Sequence, residues 1–454
     1  VTGANTAPPR AVLLQGGTVV TVNATDSVFV GDVLIEDGRI KALGPTGTVN
    51  ADPGTRVVDV RGDIVCPGFV QAHIHLCQVL FRGICEDRAL LPWLQERIWP
   101  LEKAHDAASL RASARLGIAE LLLGGTTAIL DMGTVEHTEE LFRAADELGL
   151  RYVGGKAMMD RENPAGLNES TEAALSSSNA LADRFHNTAN GRLRYAYAPR
   201  FILSCTDELL RGTAREARAR GCIVHTHASE NPGEIVAVRE ATGVDNIVAL
   251  HQRDISGPDV VLAHCVLLSD DEREVLRTTK TAVVHCPSAN YKLGGGTAPV
   301  PSLLADGVTV GLGADGAPCN NRLSAFSEMR LASLLQKPLH GADALPARTA
   351  LRMATMGSAQ ALGLDHEVGS LEVGKRADVI VVGRQRPHLR PRVDALTTLV
   401  FAAEAGDVTH VFVDGRQLVR DRRLVGVDLD RVLDDADSQL AAVLGRAQLE
   451  LNAG

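Results

Sequence analysis

What this sequence lacks narrows its function before any motif is read. None of its eight cysteines (Cys66, Cys77, Cys85, Cys205, Cys222, Cys265, Cys286 and Cys319) belongs to a CxxC pair, which argues against a zinc knuckle or a redox dithiol. Several lie inside apolar runs, Cys222 in GCIVHTH and Cys265 in VLAHCVLL, so buried free thiols in a reducing cytoplasm are expected. No apolar stretch reaches the roughly 18 uninterrupted residues of a membrane-spanning helix, and no membrane partner is expected. The opening VTGANTAPPR has neither the basic start nor the apolar centre of a secretory signal. There is no GxSxG for a serine-hydrolase elbow. The GGG at 294–296 lacks the lysine-serine or lysine-threonine end of a P-loop. The HxE and PCxxC pair of one zinc deaminase class is also missing. A basic face is wanting too: the formal charge of −10 argues against a nucleic-acid partner. Asp and Glu are scattered, with no acidic tail.

What is present is an ordinary globular balance, 45% apolar and 22% charged over 454 residues. That length suits one large barrel with a smaller satellite. The first segment alternates apolar and polar residues between turn signals, in AVLLQGGTVVTV, VFVGDVLIEDGRIKALG and TRVVDVRGDIVCPG, which predicts short strands joined by tight turns. The same texture returns in GSLEVGKRADVIVVG and DVTHVFVDGRQLVRDRRLV. Residues 1–66 and 366–454 are therefore expected to meet in one composite β-sandwich, closed by an amphipathic helix over 429–451.

Between them, residues 67–365 alternate short apolar strands with helical stretches such as AASLRASARLGIAELLLGG, the pattern of parallel strands covered by helices. The eight candidate strands are 69–75, 126–131, 152–158, 193–198, 223–227, 260–264, 282–285 and 309–315. Eight such strands close naturally into a (β/α)8 TIM-type barrel; a doubly wound open sheet is the competing architecture. Polar residues at the C-terminal ends of many strands favour the barrel, which builds its active site there.

His73 and His75 end the first candidate strand, and a period of two points both rings into the barrel mouth. His227 ends the fifth strand, His264 the sixth and Asp315 the eighth. One histidine after an apolar run is usually a hydrogen-bonded structural residue. Four histidines and an aspartate at strand ends, His73, His75, His227, His264 and Asp315, point instead to a divalent-metal site. His225 competes with His227 for that role and is read as pointing one layer deeper, while His285 is placed at the mouth. Glu230, three residues past His227, is positioned to take a proton from water and pass it to a substrate nitrogen, or else is simply a helix-start residue. The run from Gly311 to Gly316 matches GxGxxG, but it lacks the acidic residue expected for a dinucleotide site. Its glycines are read as room for close backbone approach near Asp315.

PGFVQAHIH, HTHASEN, LAHC, HCPSAN and GADGAPCNN, in that order, closely resemble the amidohydrolase superfamily, in its cytosine-deaminase-like branch. The resemblance spans the whole chain and implies one divalent metal, zinc or secondarily iron(II), on His73, His75, His227 and Asp315. It implies that His264 holds the attacking hydroxide and that Glu230 shuttles a proton to a ring nitrogen, with ammonia leaving. The fourth strand ends in YAPRF without the bridging lysine of dinuclear relatives, and Lys156 belongs to the third, so a single metal is implied.

The resemblance extends to substrate. LFRGICEDRALLPWLQERIWPLE, GKAMMD and DGAPCNNRLSAFSEMRLASLLQKPLHG are similar to deaminases of 5′-deoxyadenosine, methylthioadenosine and S-adenosylhomocysteine, which implies that Glu102 binds ribose hydroxyls. A helical lid bearing Trp93 and Trp99 is expected to wall a purine. HIHLCQ and APRFILSC are instead similar to guanine deaminases and place Gln78 and Arg200 at the purine edge. A guanidinium only donates, so Arg200 suits a carbonyl oxygen better than an amino group. A purine nucleoside deaminase is the expectation, with guanine or a triazine as alternatives and a non-catalytic relative as the remaining reading. The expected partners are a small purine and water, in a homo-oligomer.

Overall fold

The computed structural model describes residues 11–163 and 165–449. The polar opening at 1–10 and the last residues assigned to the closing helix, 450–451, lie outside the described residues.

Eight parallel strands form the central sheet. The first is Phe69–His75, the second Thr126–Met132, and the third Arg151–Gly155, continued by Ala157–Met158. The fourth to seventh are Leu193–Pro199, Ile223–Ala228, Val260–His264 and Ala282–His285. The eighth is split, with Val310–Leu312 bonded to the seventh strand and Asp315–Gly316 bonded to the first. That split closes the ring, so the architecture is a (β/α)8-like barrel and the open doubly wound sheet falls. The first three strands are buried along their whole length, as expected where helices cover one face and side chains fill the other.

The break inside 309–315, which alternation predicts as continuous, has a local cause. A Cβ at Gly313 would lie 2.6 Å from the carbonyl oxygen of His73, and Asp315 sits at φ 61°. The chain there passes too close to the first strand for a side chain, and its turn reaims Asp315 into the barrel mouth. Helices start and stop on ordinary signals. Asp207–Arg220, for example, is capped by the Thr206 hydroxyl, which accepts from Leu209 N at 3.2 Å, and ends on Gly221 at φ 65°.

Both chain ends build a second, nine-stranded sheet. Its N-terminal members include Ala11–Val20, Val28–Glu36, Arg39–Pro45 and Ile64–Pro67; its C-terminal members include Val379–Val382, Val408–Val413 and Arg416–Arg420. The two sets join where Val381 pairs with Val65, antiparallel. Gly68 is the one residue between Ile64–Pro67 and the first barrel strand. Arg151, at the start of the third barrel strand, adds a buried link: its Nε and Nη2 each donate to Asp378 at 2.9 Å. The closing helix runs Leu429–Ala447. Among the described residues no helix is long and apolar enough to cross a membrane.

Candidate active site

Three backbone carbonyls decide what the histidines can do. His75 Nδ1 lies 2.8 Å from Met132 O, and His227 Nδ1 lies 2.7 Å from Arg200 O. A carbonyl only accepts, so both Nδ1 atoms carry the proton and both Nε2 atoms present a lone pair. Yet those two Nε2 atoms face each other at 3.2 Å. Beneath them, His225 Nδ1 donates to Val261 O at 3.2 Å, leaving His225 Nε2 to accept from His73 Nδ1 at 2.7 Å. His73 Nε2 is then a third lone pair, buried without a hydrogen-bond partner and 3.3 Å from Asp315 Oδ1. Asp315 Oδ1 is also 3.4 Å from His75 Nε2.

Three imidazole lone pairs and a carboxylate oxygen therefore converge with no donor between them. Acceptors at this spacing repel unless a cation lies among them, and this donor set is one that zinc or iron(II) takes. The residues fit a divalent ion. His225 lies one layer deeper, where it orients the His73 ring rather than joining the convergence.

Two further groups flank the convergence. His264 Nε2 stands 3.6 Å from Glu230 Oε2 and 3.8 Å from Asp315 Oδ2, and its Nδ1 is 2.8 Å from the Asn290 amide oxygen. Glu230 hangs at the start of the helix Pro232–Thr242, where its own backbone N–H donates to Glu234 Oε2 at 2.7 Å. Burial, with Asp315 and Glu234 nearby, pushes the Glu230 carboxyl well above the usual range, the state of a group able to give a proton as well as take one. Burial pushes the His75 imidazole down to about 4, keeping it neutral.

The cavity above is lined by the site residues together with Gln78, Arg200, Phe201 and, from the lid, Leu90, Trp93 and Leu94. Its free volume is about 20 Å³, room for little more than a water molecule. The lid is helical from Leu90 to Lys103, with a wider turn at Leu94–Ile98. Trp93 lines the cavity; Trp99, expected beside it, does not. It packs into the apolar cluster of the lid instead.

Glu102 sits behind this wall rather than in it. Its carboxylate takes both arms of the Arg200 guanidinium, at 2.5 and 3.1 Å, and the Gln78 amide at 2.9 Å. His285, placed at the mouth from sequence, is wholly buried and both ring nitrogens lack hydrogen-bond partners; burial holds it down to about 3. Lys156 points away from the site, its Nζ bonded to Glu169 at 2.5 Å and Ser177 at 2.8 Å. Sequence reasoning missed Asn290 and Glu234, which steady His264 and Glu230. HCPSAN and the second glutamate of SENPGE carry them, but nothing in their spacing marks either role. All eight cysteines are free and buried.

A family model described as the amidohydrolase family matches residues 64–418. A 5′-deoxyadenosine deaminase of Methanosarcina acetivorans is 37% identical over 418 residues, covering 92% of this chain and 94% of that protein. A 5-methylthioadenosine/S-adenosylhomocysteine deaminase of Halobacterium salinarum is 39% identical over 438 residues, covering 96% and 98%. Among solved structures, an adenosine deaminase from Xanthomonas campestris with bound zinc superposes at a TM-score of 0.90 with 29% identity, covering 96% of this chain and 98% of that one. With this site and these relatives, the chain belongs to the amidohydrolase family and is a hydrolase of carbon–nitrogen bonds of the deaminating kind.

Proposed function

We propose that this protein is a single-metal deaminase of adenine-type purine nucleosides, of the 5′-deoxyadenosine, methylthioadenosine, S-adenosylhomocysteine or adenosine kind. The observation that carries the metal half of this reading is the meeting of His73, His75, His227 and Asp315 as four acceptors with no donor among them. Zinc is the favoured ion and iron(II) the second choice. Lys156 lies away from the site, and the fourth strand offers no lysine, which supports one ion rather than two. When bound, the ion supplies Lewis acidity that lets water lose a proton near neutral pH. His264 Nε2 and Glu230 Oε2 flank the same point. His264 orients the attacking water, and Glu230, its carboxyl raised by burial, moves a proton to the ring nitrogen next to the amino-bearing carbon. Ammonia then leaves.

One observation favours a second reading. Gln78 and Arg200 face the cavity side by side, and a guanidinium can meet a carbonyl oxygen but not an amino group. That suits guanine better than adenine. The test is ammonia release from 5′-deoxyadenosine, methylthioadenosine, S-adenosylhomocysteine, adenosine and guanine, with metal analysis of the same sample. Turnover of guanine without any adenosine turnover would overturn the adenine-type reading. A cytoplasmic setting, suggested by the free buried thiols, and assembly of identical copies belong to this proposal. So does the closing of the second sheet on itself as a sandwich, supported by the shared core of Val12, Val33, Val379 and Phe412.

A further inference from the structure

Outside the cavity, one buried carboxylate gathers the two loops that follow the seventh and eighth barrel strands. Glu328 lies in the first turn of the helix Ala325–His340 and has no exposed surface. Its Oε1 accepts from Ser288 Oγ at 2.6 Å and from Asn320 Nδ2 at 2.9 Å, and its Oε2 accepts from Ser288 N at 3.1 Å. All three donors are neutral. A carboxylate buried against neutral donors is costly to keep, and each donor leads back to the site.

Ser288 opens the helix Pro287–Lys292, after the seventh strand. That helix does not cap itself: Cys286 at its N-cap makes no side-chain bond, and Pro287 has no N–H. Glu328 supplies the missing acceptor from another helix. Two residues on, Asn290 takes the Nδ1–H of His264 at 2.8 Å. Asn320 ends the helix Ala317–Asn320, after the eighth strand. Its Nδ2 also donates to Ala314 O at 2.8 Å, the carbonyl just before Asp315. Asp315 and His264 both hold φ in the left-handed region, at 61° and 75°. Residues other than glycine keep that conformation only where their surroundings fix it.

We infer that Glu328 is a positioning residue that braces two arms of the centre, His264 through Ser288 and Asn290, and Asp315 through Asn320 and Ala314. The inference rests on the single-metal deaminase reading of this site. An acid placed merely to favour its own helix N-terminus would leave its oxygens there, whereas these three bonds all go to other segments. The two arms carry different consequences. Asp315 belongs to the proposed metal set, so slack there loosens the ion. His264 orients the attacking water, so slack there slows the reaction even at full metal occupancy. Glu328, Ser288, Asn290 and Asn320 do not line the cavity, so substrate affinity is spared.

The test compares the full chain with Glu328→Ala. Zinc affinity is measured by competition with a chromophoric chelator. The values of kcat and KM are measured at saturating zinc, for whichever of 5′-deoxyadenosine, adenosine and guanine turns over fastest. Zinc affinity and kcat should each fall by about tenfold or more, the usual cost of losing such a support, with KM within about threefold of the wild type. A loss below about tenfold in either quantity, whatever the change in melting temperature, would show a purely structural residue and overturn the inference. Should Glu328→Ala fail to fold, Asn320→Ala cuts one arm alone: zinc affinity falls by about tenfold or more, and a smaller loss overturns the inference. If the wild type binds no zinc or releases no ammonia, the reading of the site fails by itself. The crystal structure of the variant then decides: displacement of both Asn290 and Asp315 supports the brace, and either one in its wild-type place overturns it.

Discussion

The carbonyl oxygen of Arg200 accepts the Nδ1–H of His227 at 2.7 Å, while the same residue lines the cavity above the histidines. One position at the end of the fourth strand thus sets the tautomer of a ring in the proposed metal site through its backbone and the character of the cavity wall through its side chain. The two tasks are separable in evolution. Any residue at position 200 keeps the carbonyl, so the side chain can change what is recognised without disturbing the ring below.

Glu230 stands close to His264 and has its carboxyl raised by burial. Glu230→Gln keeps the size and removes the proton-transfer chemistry. We expect that variant to bind one metal ion per chain and to lose about 10²- to 10⁴-fold in kcat. Metal content together with steady-state rates checks this; normal turnover would remove the proton-shuttle role.

In the proposed metal site His225 stands at one remove from the ion. Its Nε2 accepts from His73 Nδ1 at 2.7 Å and so presents the other nitrogen of His73 to the convergence. His225→Ala should weaken zinc binding by about 10- to 100-fold, the usual cost of losing such a support. Competition with a chromophoric chelator measures it. Unchanged affinity would show that His73 is held by its strand alone.

His105 supplies a pH signature. Burial drives its imidazole down to about 4, although the bond to Cys77 O at 2.7 Å works against that. An unfolded chain binds this proton near pH 6.5 and the folded one only near pH 4. Stability from the neutral ring is therefore full above about 6.5 and falls progressively as pH drops through 4, by on the order of 3 kcal/mol. His105→Gln should show a shallower loss of stability than the wild type across that window in urea titrations. Parallel curves would mean that the ring does not stay neutral in the fold.

Arg151 and Asp378 tie the barrel to the second sheet, both nearly without exposure. Arg151→Met leaves the Asp378 carboxylate buried and unpaired. The expected cost is about 3–5 kcal/mol, read as a shift of the urea midpoint. A loss below about 1 kcal/mol would mean that water or another cation replaces the guanidinium.

The meeting of these histidines and Asp315 at one end of the barrel was legible because two simple rules converge on them. Alternation put His73 and His75 on one side of a strand, and the barrel rule put His227, His264 and Asp315 at the same end. Where a polar contact depends on chain segments far apart, the sequence is silent. The Arg200–Glu102 clasp joins the fourth strand to the lid, and no spacing announces it. Asn290 sits in a loop after the seventh strand, where neither period applies. The break before Asp315 was hidden for a different reason: GLGAD reads as strand by its apolar content, but Gly313 is there because His73 is too close for a side chain. The alternating ends foretold strands and their reunion, though not that Val379–Val382 would slot beside Ile64–Pro67.

That last pairing bears on how the chain comes off the ribosome. Ile64–Pro67 is made early, and one residue later the first barrel strand begins, yet its antiparallel neighbour is synthesised only after the entire barrel. Until then an apolar strand has an open edge and the barrel lacks its tether at Arg151. Such long-range closure is slow and leaves partly built chains prone to sticking to one another. Truncations that end before position 379 should therefore accumulate as aggregates rather than as small working barrels, whatever the completeness of their metal ligands.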